Sequence, residues 1–200
     1  MVLELGSGGG NNATHLRAWY DLTLSDLSEA MLAVSREQNP GIEHIHGDMR
    51  TLRIGRDFDA VFVHDALMYL TEARDLTAAM ATAFAHCRPG GVALFVPDCT
   101  KETFAPATEH GGEDASDGRA VRYLEWTFDP DPNDTSFVAH YTIVLRECDR
   151  STRVIDDRHE CGLFAEADWV RWLRQVGFSR VQVFSDPSAP PRQLFLATRP

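Results

Sequence analysis

The chain has 200 residues, 44% of them hydrophobic, and a formal net charge of −11 from 30 acidic and 19 basic side chains. This length and composition suit one globular domain with a full-sized core. The negative charge argues against general binding to nucleic-acid phosphates. No apolar run reaches the roughly 20 residues of a membrane span. Neither a signal peptide nor a metal-ligand spacing is visible, so the sequence predicts a cytoplasmic protein whose cysteine thiols are reduced. It predicts no metal, nucleic-acid or membrane partner.

Strands and helices alternate along the first half of the chain. Short apolar runs predict the strands, and longer segments ending at Pro or Gly predict the helices. The predicted strands are at 2–5, 22–26, 42–46, 58–63 and 92–96, and the helices at about 12–19, 28–38 and 71–87. This alternation calls for right-handed parallel crossovers and therefore predicts an α/β fold with a doubly wound sheet.

The regular alternation of strands and helices ends after strand five. Residues 98–118 are polar and glycine-containing, which predicts a mobile loop. A three-stranded antiparallel insertion follows, and the insertion as a whole, residues 98–161, lies inside a single domain of residues 1–200. The predicted strands of the insertion are at 119–128, 136–146 and 152–160, followed by a helix at 166–176 and closing strands at 178–184 and 193–198.

A glycine-rich turn follows the first strand, with the sequence Gly6-Ser7-Gly8-Gly9-Gly10. Glycines let the backbone turn sharply and approach a ligand closely, and the helix that follows offers its N-terminus. The third glycine comes one position too early for a dinucleotide-binding fingerprint. A phosphate-binding loop would need a lysine that is absent here. The stretch predicts a nucleotide-type cradle, and a flexible turn without any ligand is the alternative.

Three other predicted strands also end in polar residues suited to a nucleoside. Asp26 follows strand two, where a carboxylate can accept hydrogen bonds from both ribose hydroxyls. Asp48 and Met49 follow strand three and could contact an adenine amine and ring. His64 and Asp65 follow strand four, nearest the reacting end of such a ligand. Ligands of open parallel sheets bind at these strand ends, although each residue could instead cap a helix or stabilise a turn.

Taken together, these segments resemble the successive motifs of class I S-adenosylmethionine (SAM) dependent methyltransferases. The resemblance implies a Rossmann-like sheet of seven strands, mostly parallel, with the last strand antiparallel. It also implies SAM as cofactor and S-adenosylhomocysteine (SAH) as product. The matching segments are Glu4-x-Gly6-x-Gly8-x-Gly10, Asp26-Leu27-Ser28, Gly47-Asp48-Met49, Phe58-Asp59-Ala60-Val61 and Arg88-Pro89-Gly90-Gly91.

The resemblance also implies positions for the cofactor. The methionine part would lie by Gly6, Ser7 and Gly8, the ribose on Asp26, the adenine at Asp48 and Met49, and the sulfonium near His64. The complete predicted cofactor set is Glu4, Gly6, Ser7, Gly8, Asp26, Leu27, Asp48, Met49 and His64.

The insertion narrows the resemblance. Its ending, His159-x-x-Gly162-Leu163-Phe164, is similar to actinobacterial small-molecule methyltransferases, among them amino-sugar N-methyltransferases of antibiotic pathways. This implies a small-molecule acceptor methylated on N or O. The helical segment that usually precedes the first strand in this family is expected to be absent, because the chain starts inside that strand.

His159 is the first candidate for catalysis, because it lies on a strand ending over the crevice and histidine is a residue type suited to proton transfer near neutral pH. His140 and Tyr141 on the neighbouring strand come second. His159 could instead be a structural partner of nearby acids. The aromatic residues of the insertion predict either a substrate wall or a homodimer face. Two alternative functions remain at this point: a non-catalytic or truncated SAM-binding relative, and an NAD-dependent oxidoreductase.

Overall fold

The computed structural model describes residues 1–186 and 191–200, which form two sheets and four α-helices. A short 3₁₀ helix, Ala66–Tyr69, follows the fourth strand. The α-helices are α1 (Asn11–Leu16), α2 (Glu29–Gln38), α3 (Ala73–His86) and α4 (Glu166–Val176). The strands are β1 (Val2–Leu5), β2 (Leu22–Asp26), β3 (Glu43–His46), β4 (Phe58–His64), β5 (Cys87–Val96), β6 (Ala107–Asp114), β7 (Ala120–Phe128), β8 (Ser136–Arg146), β9 (Thr152–Gly162), β10 (Arg180–Asp186) and β11 (Arg192–Thr198).

The larger sheet has seven strands in the order β10-β11-β5-β4-β1-β2-β3. Neighbouring strands from β5 to β3 run parallel, whereas β11 is antiparallel to both β5 and β10. This confirms the prediction of a mostly parallel sheet whose last strand is reversed. The order of the strands reverses between β1 and β4, which creates a crevice at their carboxyl ends. The residues predicted to bind the cofactor all lie along or beside this edge.

Apolar side chains from both faces of the parallel strands form the main core. Leu3, Leu5 and Val61 are fully buried, as expected for strands covered on both sides. Helix α4 contributes Trp169, whose ring stacks on Phe195 of β11 with centroids 5.0 Å apart. This packing fixes the reversed strand against the sheet.

The smaller sheet corrects the prediction for the insertion. It has four antiparallel strands in the order β6-β7-β8-β9, so the expectation of three strands and a mobile loop over 98–118 was wrong. The missed strand, β6, is exposed along most of its length and therefore carries no apolar pattern. It forms by backbone pairing with the edge of β7. A Cβ on Gly111 would lie only 2.8 Å from the Tyr123 ring, which explains a glycine within this strand.

The two faces of the four-stranded sheet have different environments. One face, here called the inner face, packs Phe137, Ala139 and Cys161 against Met68 of the 3₁₀ helix and Phe104. The opposite, outer face carries Trp126 and is exposed. Because side chains alternate along a strand, neighbouring residues of β8 point to different faces. The 3₁₀ helix, which was not predicted, begins just after β4 and packs on the inner face through Met68. It therefore connects the inner face to the crevice.

Among residues 1–186 and 191–200, no helix combines the length and the apolar character needed to cross a membrane.

Candidate cofactor and acceptor site

The glycine loop after β1 is held in a conformation that requires glycine. Gly6, Gly8 and Gly10 have φ values of +72°, +53° and +80°, in the left-handed region. A Cβ on Gly6 would lie 2.3 Å from Cβ of Ala66 and 2.8 Å from Cε of Met49. The loop therefore packs directly on the segments that follow β3 and β4. Three of the predicted strand ends thus meet at Gly6.

Asp26 joins this loop to the start of α2. Its Oδ2 accepts a hydrogen bond from the Gly8 amide at 2.8 Å, and its Oδ1 accepts one from the Ser28 amide at 2.8 Å. Ser28 caps α2 by accepting a hydrogen bond from the Met31 amide. Each carboxylate oxygen of Asp26 retains a lone pair. Asp26 can therefore organise the loop and still accept hydrogen bonds from ligand hydroxyls.

Glu4 lies beneath the loop and is only 1% exposed. Its Oε1 accepts a hydrogen bond from Asn12 Nδ2 at 2.9 Å, while Oε2 has no partner within the described part of the chain. Burial raises the pKa of Glu4 to about 7, an effect that Asn12 opposes and the charge of Asp26 reinforces. The buried Ser7 Oγ likewise lacks a partner among the described residues.

These features fit SAM. The left-handed glycines leave the backbone open at Gly8 and Gly9, where an added Cβ would meet nothing closer than 3.6 Å. The unpartnered oxygens of Glu4 and Ser7 are suited to an ammonium group or to water-mediated contacts with one. The side chain of Leu27, 62% exposed beside Asp26, offers apolar surface to a ring.

Asp48 is already engaged by Arg50. The Arg50 backbone amide donates to Asp48 Oδ1 at 2.8 Å, and the guanidinium donates to both carboxylate oxygens. These bonds hold the pKa of Asp48 below its ordinary value. Arg50 also donates to Asp75 at 2.9 Å. The predicted contact of Asp48 with an adenine amine must therefore compete with Arg50, a residue that the sequence reasoning missed.

His64 lies at the end of β4, in contact with three polar side chains. Its Nδ1 is 3.1 Å from Asp65 Oδ2 and 3.5 Å from Asn12 Nδ2, and its Nε2 is 3.4 Å from Arg192 Nη1. Burial lowers the pKa of His64, with Asp65 acting in the opposite direction and Arg192 in the same one. The imidazole therefore lies between Asn12, on the glycine-loop side of the crevice, and Arg192 of β11, and in its neutral form it can accept a hydrogen bond from only one of them.

The inner face of the smaller sheet brings His159 and Tyr141 together with Tyr69 of the 3₁₀ helix. The His159 ring lies edge-on to both tyrosine rings, with centroids 5.8 Å apart in each case. His159 Nε2 is 3.1 Å from Asp157 Oδ2. Tyr69 was missed because no motif in the sequence indicates that the segment after β4 reaches the insertion.

Tyr141 and His140 differ in what they can do. Tyr141 Oη donates to Glu125 at 2.8 Å, and burial together with Glu125 raises the pKa of Tyr141 well above its ordinary value. Tyr141 therefore stays protonated near neutral pH and is unsuited to act as a base. His140 points to the outer face, where its Nε2 lies 2.9 Å from Asp156 Oδ2. The structure does not bring His140 together with His159 and Tyr141.

No cluster of three or more potential metal ligands occurs in the described ranges, residues 1–186 and 191–200.

Comparison with known proteins relates both halves of the chain to methyltransferases. A family model described as a methyltransferase domain matches residues 2–91. An enzyme of Streptomyces venezuelae, dTDP-3-amino-3,4,6-trideoxy-alpha-D-glucopyranose N,N-dimethyltransferase, is 31% identical over 197 residues, covering 98% of this chain and 81% of that protein. An N,N-dimethyltransferase of Streptomyces fradiae for dTDP-3-amino-3,6-dideoxy-alpha-D-glucopyranose is 28% identical, covering 89% of this chain and 69% of that one.

Solved structures agree with these similarities. The SAM-bound amino pentose methyltransferase CalS10 from Micromonospora echinaspora superimposes with a TM-score of 0.83 at 25% identity. The match covers 100% of this chain and 83% of the CalS10 chain. The similarity therefore includes the four-stranded insertion as well as the seven-stranded sheet.

The buried Glu4 makes stability depend on pH. Because its pKa is raised from 4.5 to about 7, its protonated form favours folding. That contribution is complete below pH 4.5 and is lost as the pH rises through about 7. Between pH 5 and pH 8, we expect the free energy of unfolding of the wild type to fall by about 2 kcal/mol more than that of Glu4→Gln.

Urea unfolding of both proteins at the two pH values measures this difference, and comparing the two pH dependences removes the effects of other titrating groups. Parallel pH dependences of the two proteins would contradict a raised pKa at Glu4.

Proposed function

We propose that this chain, which belongs to the family of SAM-dependent methyltransferases, transfers methyl groups to the amine of a nucleotide-linked amino sugar. The observation that carries this proposal is the length of the similarity. The family model covers residues 2–91, the part of the chain that contains the glycine loop and the ends of β1 to β4. The similarity to the Streptomyces venezuelae enzyme extends over 98% of the chain, including the insertion. We infer that the acceptor side is shared as well.

SAM, when bound, supplies a methyl group already activated by a sulfonium, and SAH remains after transfer. We assign the methionine part to Gly6, Ser7 and Gly8, with Glu4 beneath them. The ribose is assigned to Asp26 and the adenine to the surfaces of Leu27 and Met49. Asp48 would accept a hydrogen bond from the adenine amine through a carboxylate oxygen that it shares with Arg50. His64 lies nearest the methyl group to be transferred. The contacts of Asp26 with Gly8 and Ser28 support this assignment.

The protein contributes mainly by positioning and by excluding water. An in-line displacement needs the acceptor nitrogen held in line behind the methyl carbon, and such positioning can supply on the order of 7–11 kcal/mol. The crevice at the ends of β1 and β4 and the inner face of the insertion would hold the two partners. The 3₁₀ helix lies between these surfaces, with Ala66 against Gly6 and Tyr69 against His159. These contacts support one continuous site.

His159 is our candidate for contact with the acceptor. Its ring is held between Tyr69 and Tyr141, and Asp157 fixes its Nε2. Tyr141, kept protonated, would support the ring and help shape the wall of the site. His140 lies on the outer face and would not take part. The family assignment favours methyl transfer over the two alternatives, a non-catalytic SAM-binding relative and an NAD-dependent oxidoreductase.

Methyl transfer from SAM with a trideuterated methyl group tests the proposal, using dTDP-3-amino-3,4,6-trideoxy-α-D-glucopyranose as the probe and mass spectrometry as readout. We expect the wild type to produce the amino sugar carrying the labelled methyl group on its nitrogen. His159→Ala should lower kcat/KM for the probe by about 100-fold, the lower end of the range for a positioned catalytic group. Its affinity for SAH should stay close to that of the wild type.

His140→Ala is the matched control, because it removes a histidine from the opposite face of the same sheet. It should behave like the wild type. Absence of transfer to the probe by a wild type that binds SAH would refute the amino-sugar acceptor. Equal rates for His159→Ala and the wild type would remove His159 from the mechanism.

We also propose that the outer face of the insertion binds a second copy of this chain. The exposed apolar side chains of this face, here called the apolar row, lie on β7, β8 and β9, and the register places Arg122 and Asp156 on the same face. A self-complementary patch of this kind would let a chain of net charge −11 associate with itself. The row consists of Leu124, Trp126, Phe128, Val144 and Val154.

Sedimentation velocity checks this surface. We expect a dimer for the wild type and a monomer for Trp126→Glu, because a buried unpaired carboxylate would oppose association. Trp19→Glu is the control, since Trp19 is also exposed but lies outside the insertion. A monomeric wild type, or a Trp126→Glu protein that remains dimeric, would exclude this interface.

A further inference from the structure

Asp65 and Asp98 follow the neighbouring strands β4 and β5. His64 pairs with Val96 in the sheet, and the Asp65 amide donates to the Val96 carbonyl at 3.1 Å. Asp98 follows Val96 by two residues. The two carboxyls lie close enough for the negative charge of Asp65 to raise the pKa of Asp98. The crevice therefore contains a carboxyl pair that neither the motifs nor the comparisons assign.

The two members of the pair have different surroundings. The side chain of Asp65 is 48% exposed, at the mouth of the crevice. The Oδ2 atom of Asp98 is enclosed and receives no hydrogen bond from an N–H or O–H group in the described ranges. Burial raises the pKa of Asp98 to about 7, Asp65 raises it further, and Arg192 acts against both. Asp65 is therefore the more exposed member of the pair and Asp98 the more enclosed one.

The charges around the pair do not balance when both carboxyls are ionised. Arg192 of β11 donates to Asp65 Oδ1 at 3.0 Å and supplies one positive charge. The neighbouring His64 favours its neutral form, because burial lowers its pKa. Tyr69 of the 3₁₀ helix, Cys99 after β5 and Cys161 of β9 also face Asp98, and their pKa values are raised, so they add no charge near neutral pH. With both carboxyls ionised, the pair therefore has one negative charge that no positively charged group named here balances.

The backbone of Asp65 supports a functional role. Its φ of +58° lies in the left-handed region, which is uncommon for a residue other than glycine. Such strain persists only where the surroundings impose it, and it is frequent at functional sites. Here it places the Asp65 carboxyl between His64 and Arg192, one residue before Ala66, which contacts the glycine loop. The carboxyl pair thus lies beside the expected position of the methyl donor.

We propose that Asp65 and Asp98 form a proton-sharing carboxyl pair that binds the ammonium form of the acceptor and takes the proton that the amine loses. This inference rests on the proposed function, because it requires an amine acceptor. The ammonium supplies the positive charge that the ionised pair lacks. The sequence alone points only to His159, His140 and Tyr141 as acceptors of this proton.

The step balances as a simple proton transfer. An N–H bond of the ammonium breaks, its electron pair stays on nitrogen, and the proton forms an O–H bond with a carboxylate of the pair. The nitrogen lone pair is then available for methylation. Each N–H hydrogen replaced by a methyl group releases one further proton. The exposed Asp65 can pass protons to solvent, so the pair returns to its starting state without any further reactant.

Asp98→Asn tests the pair, since asparagine keeps the shape of the side chain but cannot take the proton. With the dTDP-amino-sugar probe, we expect kcat/KM to fall about 100-fold, within the range for general base catalysis. The affinity for SAH, measured by calorimetry, should change less than about twofold, because this residue lies outside the cofactor set. In the wild type, kcat/KM should rise with pH through the pKa of about 7, and the variant should lose this rise.

A second variant and a spectroscopic readout keep the test independent of folding and of turnover. Asp65→Asn, which alters the half-exposed member, should show the same loss. Carbon-13 NMR of the aspartate carboxyls should reveal one group titrating near pH 7 in the wild type and none in Asp98→Asn. Asp149→Asn, in an exposed turn of the insertion, is the control and should match the wild type in every assay.

The outcomes separate the pair from the proposed function. If the wild type methylates the probe and Asp98→Asn retains its rate and pH profile, the carboxyl pair has no such role while the proposed function stands. If the wild type binds SAH but does not methylate the probe, the proposed acceptor fails and this inference fails with it. Loss of activity in both asparagine variants with SAH affinity retained would support the pair.

Discussion

The hydrogen bonds from two backbone amides to the Asp26 carboxylate are the interaction on which the site depends. They connect Gly8 in the loop after β1 to Ser28 at the start of α2. Glycine has little conformational preference of its own, so a loop with three left-handed glycines needs such external fixation. A negative charge also suits the N-terminus of a helix. The carboxylate that is expected to bind the ribose therefore also builds the loop beside it.

Buried polar atoms without partners are concentrated at the edge of the sheet where the ligand is proposed to bind. Five such side-chain atoms occur among the described residues, and three of them belong to Glu4, Ser7 and Asp98 at the carboxyl ends of β1 and β5. An unsatisfied buried polar atom costs about 1–3 kcal/mol. Their concentration at one edge indicates that the folded chain gives up stability where a ligand would supply the missing partners. Glu4 and Asp98 share a further property, since burial raises the pKa of each to about 7.

Much of the fold could be predicted from the sequence because the signals for its strands and helices lie in short, continuous segments. Buried parallel strands appear as short apolar runs, and the residues at their ends identify the crevice. Strand β6 could not be predicted in this way, because it is polar and forms only by pairing with β7. The different faces of His140 and His159 follow from strand alternation and the register of β8 with β9, but that register is known only from the structure.

The polar groups near the reacting end were harder to predict because their contacts are not local. Arg192 reaches Asp65 across 127 positions of the sequence. The proximity of Asp65 and Asp98 depends on the adjacency of β4 and β5, which no motif encodes. By contrast, Arg50 lies only two residues from Asp48, and this pairing was visible in principle as a short-range acid–base pair. Motifs therefore predict the proposed cofactor side, whereas the proposed acceptor side could be assigned only from the structure.

The most direct measurement of the central claim is an amide NMR titration of the protein with SAH. A site built on the glycine loop predicts saturable shift changes at Gly6 to Gly10, at Asp26 to Ser28, and at Met49 and His64. The Gly8 and Ser28 amides should respond together because both donate to Asp26. Shift changes confined to the four-stranded sheet, or a response of the loop to NAD but not to SAH, would contradict the account.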